Sequence, residues 1–283
     1  MTIEKPAKLP VWQTARECYR LTFRHLGDLL RFAWPWLLVL IALSGALYWA
    51  LYPAEVAAMA ETGSGSNALL ITSALISTAI GAAIAVPWHR LLLLGENQSL
   101  AGCLTFDARR RSYFIKAVAT LALPIAPIVL AAFLIPEDTS AEASQLDFLR
   151  AAGFAMATIA AVMVINRLSL ILPATALDHA GVGWSKAWHM TRGNAWRLFW
   201  LSLLVLAPIF VAVAVAFSLY PNEFLLLDST TAPSRAAFAA ANVVLELASM
   251  LAGMLYVTFL SLAYRHFRGL PMPQSAPVAP AAP

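Results

Sequence analysis

Charge is what this sequence is shortest of. Of its 283 residues, 12 % are Asp, Glu, Lys or Arg, about half the share in a water-facing domain. Hydrophobic residues make up 60 % and the mean hydropathy is +0.72. That is too little polar surface to coat a soluble fold, so the solvent for most of the chain is lipid. Cysteine is nearly absent: Cys18 and Cys103 fall on the side that the charge pattern assigns to the cytoplasm. Thiols stay reduced there, and both read as small apolar residues.

Catalytic signatures are missing too. No Gly-x-Ser-x-Gly motif occurs, and the serines of Gly63-Ser64-Gly65-Ser66 fall in a flexible connector. His25, His89, His179, His189 and His266 offer no pair at helix-face spacing with a second Cys, Asp or Glu ligand, and they read as interfacial residues without a special role. No catalytic residue, metal or cofactor is therefore assigned. The net charge of +4 and pI near 9.3 come from cations dealt out around the ends of apolar runs. Anionic inner-leaflet lipid is a better counterpart for them than nucleic acid.

What is present is long apolar runs. A helix needs about 20 apolar residues to cross roughly 30 Å of hydrocarbon, and six stretches qualify: 32–52, 68–91, 115–135, 148–172, 196–219 and 237–264. Lipid offers the backbone no partners, so each is expected to be helical and the fold class all-α. Seventeen of the 19 Lys and Arg residues, all but Arg150 and Arg235, fall in four stretches that alternate with acidic ones. The acidic connectors carry Glu55 and Glu61, then Glu137, Asp138, Glu142 and Asp147, then Glu223 and Asp228. The positive-inside rule then predicts a multi-pass protein of the bacterial cytoplasmic (inner) membrane with both termini in the cytoplasm. Trp34, Trp36, Trp88, Trp184, Trp188, Trp196, Trp200 and Tyr264 would mark the inner interface, and Tyr48, Trp49, Tyr52 and Tyr220 the outer one. No cleavable signal peptide is apparent, because Lys5, Lys8, Arg16, Arg20 and Arg24 precede the first apolar run. Residues 1–270 are expected to form one membrane domain, with 271–283 a disordered Pro/Ala-rich cytoplasmic tail.

Ahead of the first span, Val11, Trp12, Ala15, Cys18, Tyr19, Thr22, Phe23 and Leu26 recur at three and four residues, opposite Gln13, Arg16, Glu17, Arg20 and Arg24. That pattern predicts an amphipathic helix in the interface plane, its apolar side in lipid. A shorter one is expected over Trp184–Thr191, and a third from Ser99 to the run Arg109-Arg110-Arg111. Placing Arg31 on Lys116 and on Arg197 superimposes these helices and the starts of spans one, three and five. Cys18 then meets Cys103, and the even spans end alike in His89-Arg90, Asn166-Arg167 and Tyr264-Arg265. The chain thus reads as three tandem units of interfacial helix plus hairpin, roughly 11–97, 98–181 and 182–270, packed about a pseudo-threefold axis.

The stretches Asn166-Arg167-Leu168-Ser169-Leu170-Ile171-Leu172-Pro173-Ala174, Trp184-Ser185-Lys186-Ala187-Trp188 and Thr191-Arg192-Gly193-Asn194-Ala195-Trp196-Arg197-Leu198-Phe199 resemble uncharacterised bacterial six-span inner-membrane proteins. The family is related to the membrane domain of some glycerophosphodiester phosphodiesterases. The likeness is sharpest over 166–199 and rests on structural signatures. With no phosphodiesterase domain alongside, it implies a fold and no reaction.

Two groups of residues stand out as candidate sites. Arg90, Arg167 and Arg265, with Arg31, Lys116 and Arg197 at the odd-span starts, could grip lipid headgroups, since guanidinium forks match phosphate oxygens. Positive-inside anchoring asks for the same residues. Glu246 is the one acid inside a span, where a charge is costly unless neutral, paired or wet. With Asn242, Ser249 and Thr258 it could form a polar site facing the bundle centre, or it could sit near the outer interface bonded to a neighbour. The leading expectation is a non-enzymatic membrane protein that binds or organises anionic phospholipid or steadies membrane-protein partners. The alternative is a transporter or permease subunit using Glu246.

Overall fold

The computed structural model describes residues 7–62, 67–134, 143–179, 181–219 and 234–271. Most acids of the expected outer connectors and the Pro/Ala tail lie outside these residues. The described residues form ten helices and no strand: α1 (Val11–Arg24), α2 (Leu26–Thr62), α3 (Asn67–Leu94), α4 (Leu100–Leu104), α5 (Ala108–Leu134), α6 (Ala143–Leu168), α7 (Ile171–Ala176), α8 (Trp184–Met190), α9 (Ala195–Leu219) and α10 (Arg235–Arg268). Among the described residues, five stretches are long and apolar enough to cross a membrane: Leu26–Ala54, Ile71–Leu94, Phe148–Ala176, Ala195–Leu219 and Arg235–Arg268. The expected third span lies on α5, which is 27 residues long and is not among the five. Its first nine residues hold Arg109, Arg110, Arg111 and Lys116, so its apolar part begins only at Ala117.

The long helices close into a ring: α2 packs on α3, α3 on α5, α5 on α6, α6 on α9, α9 on α10 and α10 back on α2. Across the ring α10 also meets α3. The short helices lie at one end, the basic end, which also carries Arg90, Arg167 and Arg265. There α1 rests on α9 and α10, α4 on α2 and α3, and α8 on α6. The main core sits at this end, around Trp88, Leu170, Leu198, Leu201, Phe259 and Tyr264, while Tyr48, Phe238 and Ala239 form a small separate cluster toward the other.

Prolines shape these helices in two ways. Pro173 cannot donate to the Ser169 carbonyl, which takes an i,i+3 bond from the Leu172 N–H at 2.9 Å instead. The expected fourth span therefore breaks after Leu168 and resumes as α7. Six other prolines stay inside their helices, and for three of them, Pro53, Pro87 and Pro208, the carbonyl left unpaired four residues earlier is bonded by a side chain from another helix. Pro208 frees Leu204 O, taken by the Tyr19 hydroxyl at 3.0 Å. Pro87 frees Ala83 O, taken by Arg110 Nε at 3.3 Å. Pro53 frees Trp49 O, taken by Arg235 Nε. In lipid such compensation is what lets a proline remain in a helix.

Two expectations about the short helices need correction. The apolar stripe of α1 faces protein and not lipid: Ala15, Cys18, Leu21 and Thr22 are buried on it, with Thr22 bonded to Thr258 at 3.1 Å, and only the flanking Trp12 and Phe23 are exposed. Periodicity reveals an apolar face without saying what covers it. The third interfacial helix is only α4, capped by the Ser99 hydroxyl on the Gly102 N–H. The run Arg109–Arg111 opens α5 instead, because Asp107 Oδ1 accepts the Arg110 N–H at 2.9 Å as an N-cap.

Candidate functional site

The three even-span ends behave alike. The first residue of each pair is buried: His89 is 0 %, Asn166 1 % and Tyr264 0 % exposed. His89 Nδ1 lies 2.7 Å from Ser261 Oγ, and Nε2 lies 3.1 Å from the Tyr113 hydroxyl. Ser261 donates to Val257 O at 2.9 Å. It must therefore accept from Nδ1–H, which leaves Nε2 to accept from Tyr113 and fixes a neutral tautomer. Asn166 donates to Ser202 Oγ at 2.8 Å and accepts from the Tyr256 hydroxyl at 3.0 Å. The Tyr264 hydroxyl shares a 2.8 Å bond with His179 Nδ1. Sequence reasoning leaves His89 without a role, since nothing local signals which histidine the fold encloses.

The arginines that follow are largely occupied within the protein. Arg90 donates to Glu96 Oε2 at 2.8 Å and to Ala176 O at 3.0 Å. Arg167 donates to Thr191 Oγ1 at 2.9 Å and Trp188 O at 2.7 Å, with its guanidinium 3.4 Å over the Trp188 ring. Arg265 is half-buried in a cleft with Glu17 and His266. At the odd-span starts, Arg197 bonds Leu9 O at 2.8 Å while Asn194 accepts from the Leu9 N–H at 2.9 Å. Arg31 is exposed. Lys116 donates to the Thr175 hydroxyl at 3.0 Å and has no carboxylate within ion-pair distance among the described residues.

Lys116 lines a cleft of about 560 Å³ between α5 and the end of α7, together with Arg109, Ser112, Thr175, Asp178 and His179. Arg109 Nε meets Asp178 Oδ1 at 2.9 Å. The hydrogen bond from Arg109 holds the Asp178 carboxyl below its ordinary range. Asp178 has φ 57, a left-handed conformation that Asp tolerates better than most residues. With Arg109 partly neutralised, Lys116 is the cation this cleft presents to an anion.

Glu246 is 9 % exposed. Its Oε1 accepts from the Tyr48 hydroxyl at 3.1 Å and its Oε2 from Ser77, so it joins α10 to α2 and α3. The companions expected from sequence do not gather around it. Asn242 donates to Phe238 O on its own helix at 3.0 Å, and Thr258 accepts from Trp88 Nε1 at 2.8 Å near the basic end. Ser249 lines a separate cavity of about 340 Å³ bounded by α3, α5, α7 and α10, which Ser77 also lines.

Sequence reasoning missed Arg110, counted there only among positive-inside charges. It is 2 % exposed and donates to Ala83 O, Thr105 O, Thr105 Oγ1, Gln98 Oε1 and Gly102 O. The available signal was Pro87, whose freed carbonyl needs a donor. Among the described residues no three His, Cys, Asp or Glu side chains gather as a metal-ligand set. No family model matches the chain, and no curated protein and no solved structure proves similar to it.

Proposed function

We propose that the chain is a non-enzymatic, six-span protein of the bacterial cytoplasmic membrane, both termini inside, whose basic end binds anionic phospholipid. The observation that carries this reading is at that end. The indoles of Trp12, Trp34, Trp184, Trp196 and Trp200 are 43 to 73 % exposed there, beside the exposed Arg31 and the carboxylate-free Lys116. Exposed indoles at the same end as cations with no carboxylate partner among the described residues suit the headgroup zone, where the ring is half in lipid and the charge meets phosphate. Arg90 and Arg167 are read as ties between segments, which narrows the headgroup ligands to Lys116, Arg31 and the neighbouring cations.

Three tandem units are part of the proposal. The ring order is what cyclic repetition asks for: three hairpins, α2–α3, α5–α6 and α9–α10, joined by three equivalent contacts, with α1, α4 and α8 each resting on the preceding hairpin. Membership of the six-span family rests on the motifs of residues 166–199.

Native mass spectrometry tests the lipid reading. Wild-type protein should retain phosphatidylglycerol over phosphatidylcholine, and the Lys116→Ala, Arg31→Ala double variant should lose that preference while staying folded. Equal retention by the variant overturns the reading. The permease alternative keeps one support, that Ser77 both lines the cavity and donates to Glu246. Solute flux in proteoliposomes that vanishes with Glu246→Gln would favour it.

A further inference from the structure

The 340 Å³ cavity exists because α6 stands away from the centre. Below the Pro173 break α6 packs on α5 and α9 and touches α10 near its end through the Asn166–Tyr256 hydrogen bond, while its continuation α7 packs on both α3 and α10. The space left lies beneath α7 within the spanning segments, and its volume is at the small end of the range of ligand sites, about 300–1,000 Å³. Its walls are small or flexible, with Gly81, Ala85, Ala117 and Gly253 facing Met250 and Met254. Such a slot admits a thin apolar chain and adapts to it. Among the described residues no Lys, Arg, Asp or Glu lines it, which disfavours a charged headgroup inside.

The polar groups at its basic-end side say what the chain should carry. Tyr113 lines the cavity and is 3 % exposed; its proton is committed to His89 Nε2, and its oxygen lone pairs remain. Ser169 also lines it, at 2 % exposed; because the Tyr256 proton goes to Asn166 Oδ1 at 3.0 Å, the 3.3 Å contact is a donation from the Ser169 hydroxyl to the Tyr256 oxygen. The Ser169 proton is thereby spent, and its oxygen lone pairs remain. Two hydroxyl oxygens with spent protons and free lone pairs call for a donor on the guest, and an alcohol O–H supplies one to Tyr113 or Ser169.

We infer that this cavity binds a neutral lipid through a single alcohol group, a ligand distinct from the anionic phospholipid of the basic end. The inference rests on the chain being membrane-embedded but not on the headgroup reading. A photoreactive long-chain alcohol, offered to the full chain in phosphatidylcholine nanodiscs, should label residues around Gly81 and Met254. Unlabelled alcohol should compete about threefold to tenfold better than its methyl ether, the effect of one buried interhelical-type hydrogen bond. The Tyr113→Phe, Ser169→Ala double variant should erase that discrimination, because a methyl ether lacks only the proton that these two oxygens accept.

Gly81→Leu should abolish labelling while the thermal midpoint is kept or raised, since a Cβ there meets nothing within 4 Å. The inference is overturned if the ether competes equally, or if folded Gly81→Leu protein is labelled like wild type. It is also overturned if Lys116→Ala removes the labelling and phosphatidylglycerol is the best competitor, because the cavity would then belong to the headgroup site. A Lys116→Ala protein that loses phosphatidylglycerol but keeps the alcohol supports both readings separately.

Discussion

The two ends of this bundle solve the same problem with different means. At the basic end, helices are joined by buried polar chains: Trp88 to Thr258 to Thr22, Tyr113 to His89 to Ser261, and Tyr256 to Asn166 to Ser202. Toward the other end the described residues show one such node, Glu246 with Tyr48 and Ser77, and a small aromatic cluster. Between helices in lipid the hydrophobic effect supplies little attraction, so hydrogen bonds and close packing decide which end is rigid. The basic end is therefore the frame, and the far end is held mainly by packing.

Arg110 and Arg235 give the sharpest test, because both cap a carbonyl freed by a proline, one at each end. Arg110 is enclosed and serves five acceptors, whereas Arg235 is half-buried and bonds Trp49 O while stacking 4.8 Å from its ring. Stranding several buried carbonyls at about 1–3 kcal/mol each should make Arg110→Met cost at least about 3 kcal/mol. Arg235→Met should cost about 1 kcal/mol or less, as one partly wet bond does. Thermal unfolding in detergent measures both, and equal losses would erase the distinction between the ends. Arg110→Lys should rescue little, because an ammonium cannot span the acceptors that a guanidinium fork reaches.

Glu246 probes the far end from inside. Glu246→Ala removes the acceptor for two hydroxyls, one of them on the buried Tyr48, and should cost about 1–2 kcal/mol. Glu246→Gln keeps an acceptor and the shape, and its loss should be under about 1 kcal/mol. A Gln variant as unstable as the Ala variant would show that the negative charge itself is needed there, which the two observed donors do not require.

The parts of this architecture that were legible in the sequence are those that lipid imposes directly. Apolar runs gave the long helices, and the placement of Arg90, Arg167 and Arg265 marked one end. Burial inside the bundle was not legible, because a stripe such as Ala15, Cys18 and Thr22 looks the same whether it meets lipid or α9 and α10. Polar partners were invisible for the same reason: His89 and Arg110 resemble interfacial residues until the fold encloses them. Glu246 was found by the cost of an acid in a span, but its partners Tyr48 and Ser77 lie 198 and 169 residues away in the chain. Pro173 gave a break that the run of 148–172 concealed. Prolines were the underused signal, since each marks a carbonyl whose donor must come from elsewhere.

Tyr19 turns that signal into a coupled prediction. Its hydroxyl bonds Leu204 O at 3.0 Å and Val205 O at 2.8 Å, beside the gap left by Pro208. Tyr19→Phe should cost about 1 kcal/mol. In a Pro208→Ala background the backbone N–H restored by the substitution can serve Leu204 O itself, so loss of the Tyr19 hydroxyl should cost about half as much or less. Additive losses in the double-mutant cycle would show that the hydroxyl acts through Val205 O and not through the carbonyl that Pro208 frees.

The smallest effect expected is that of acid on the basic end. The hydrogen bond from Arg109 lowers the Asp178 carboxyl. A carboxyl lowered by folding contributes stability above its unfolded value of about 3.9, and this is lost as pH falls through the folded value. Asp178 is more than half exposed, so solvent screening keeps the contribution small. Between pH 7 and 5 the thermal midpoint should not respond through this pair. Below about pH 4 the wild type should lose a small increment that Asp178→Asn lacks at every pH. The same increment should shrink in high salt, because the pair is open to solvent. A pH response near neutrality that disappears in Asp178→Asn would mean that Arg109 is not holding this carboxyl ionised, and the cleft beside Lys116 would then carry one more net positive charge than the geometry assigns to it.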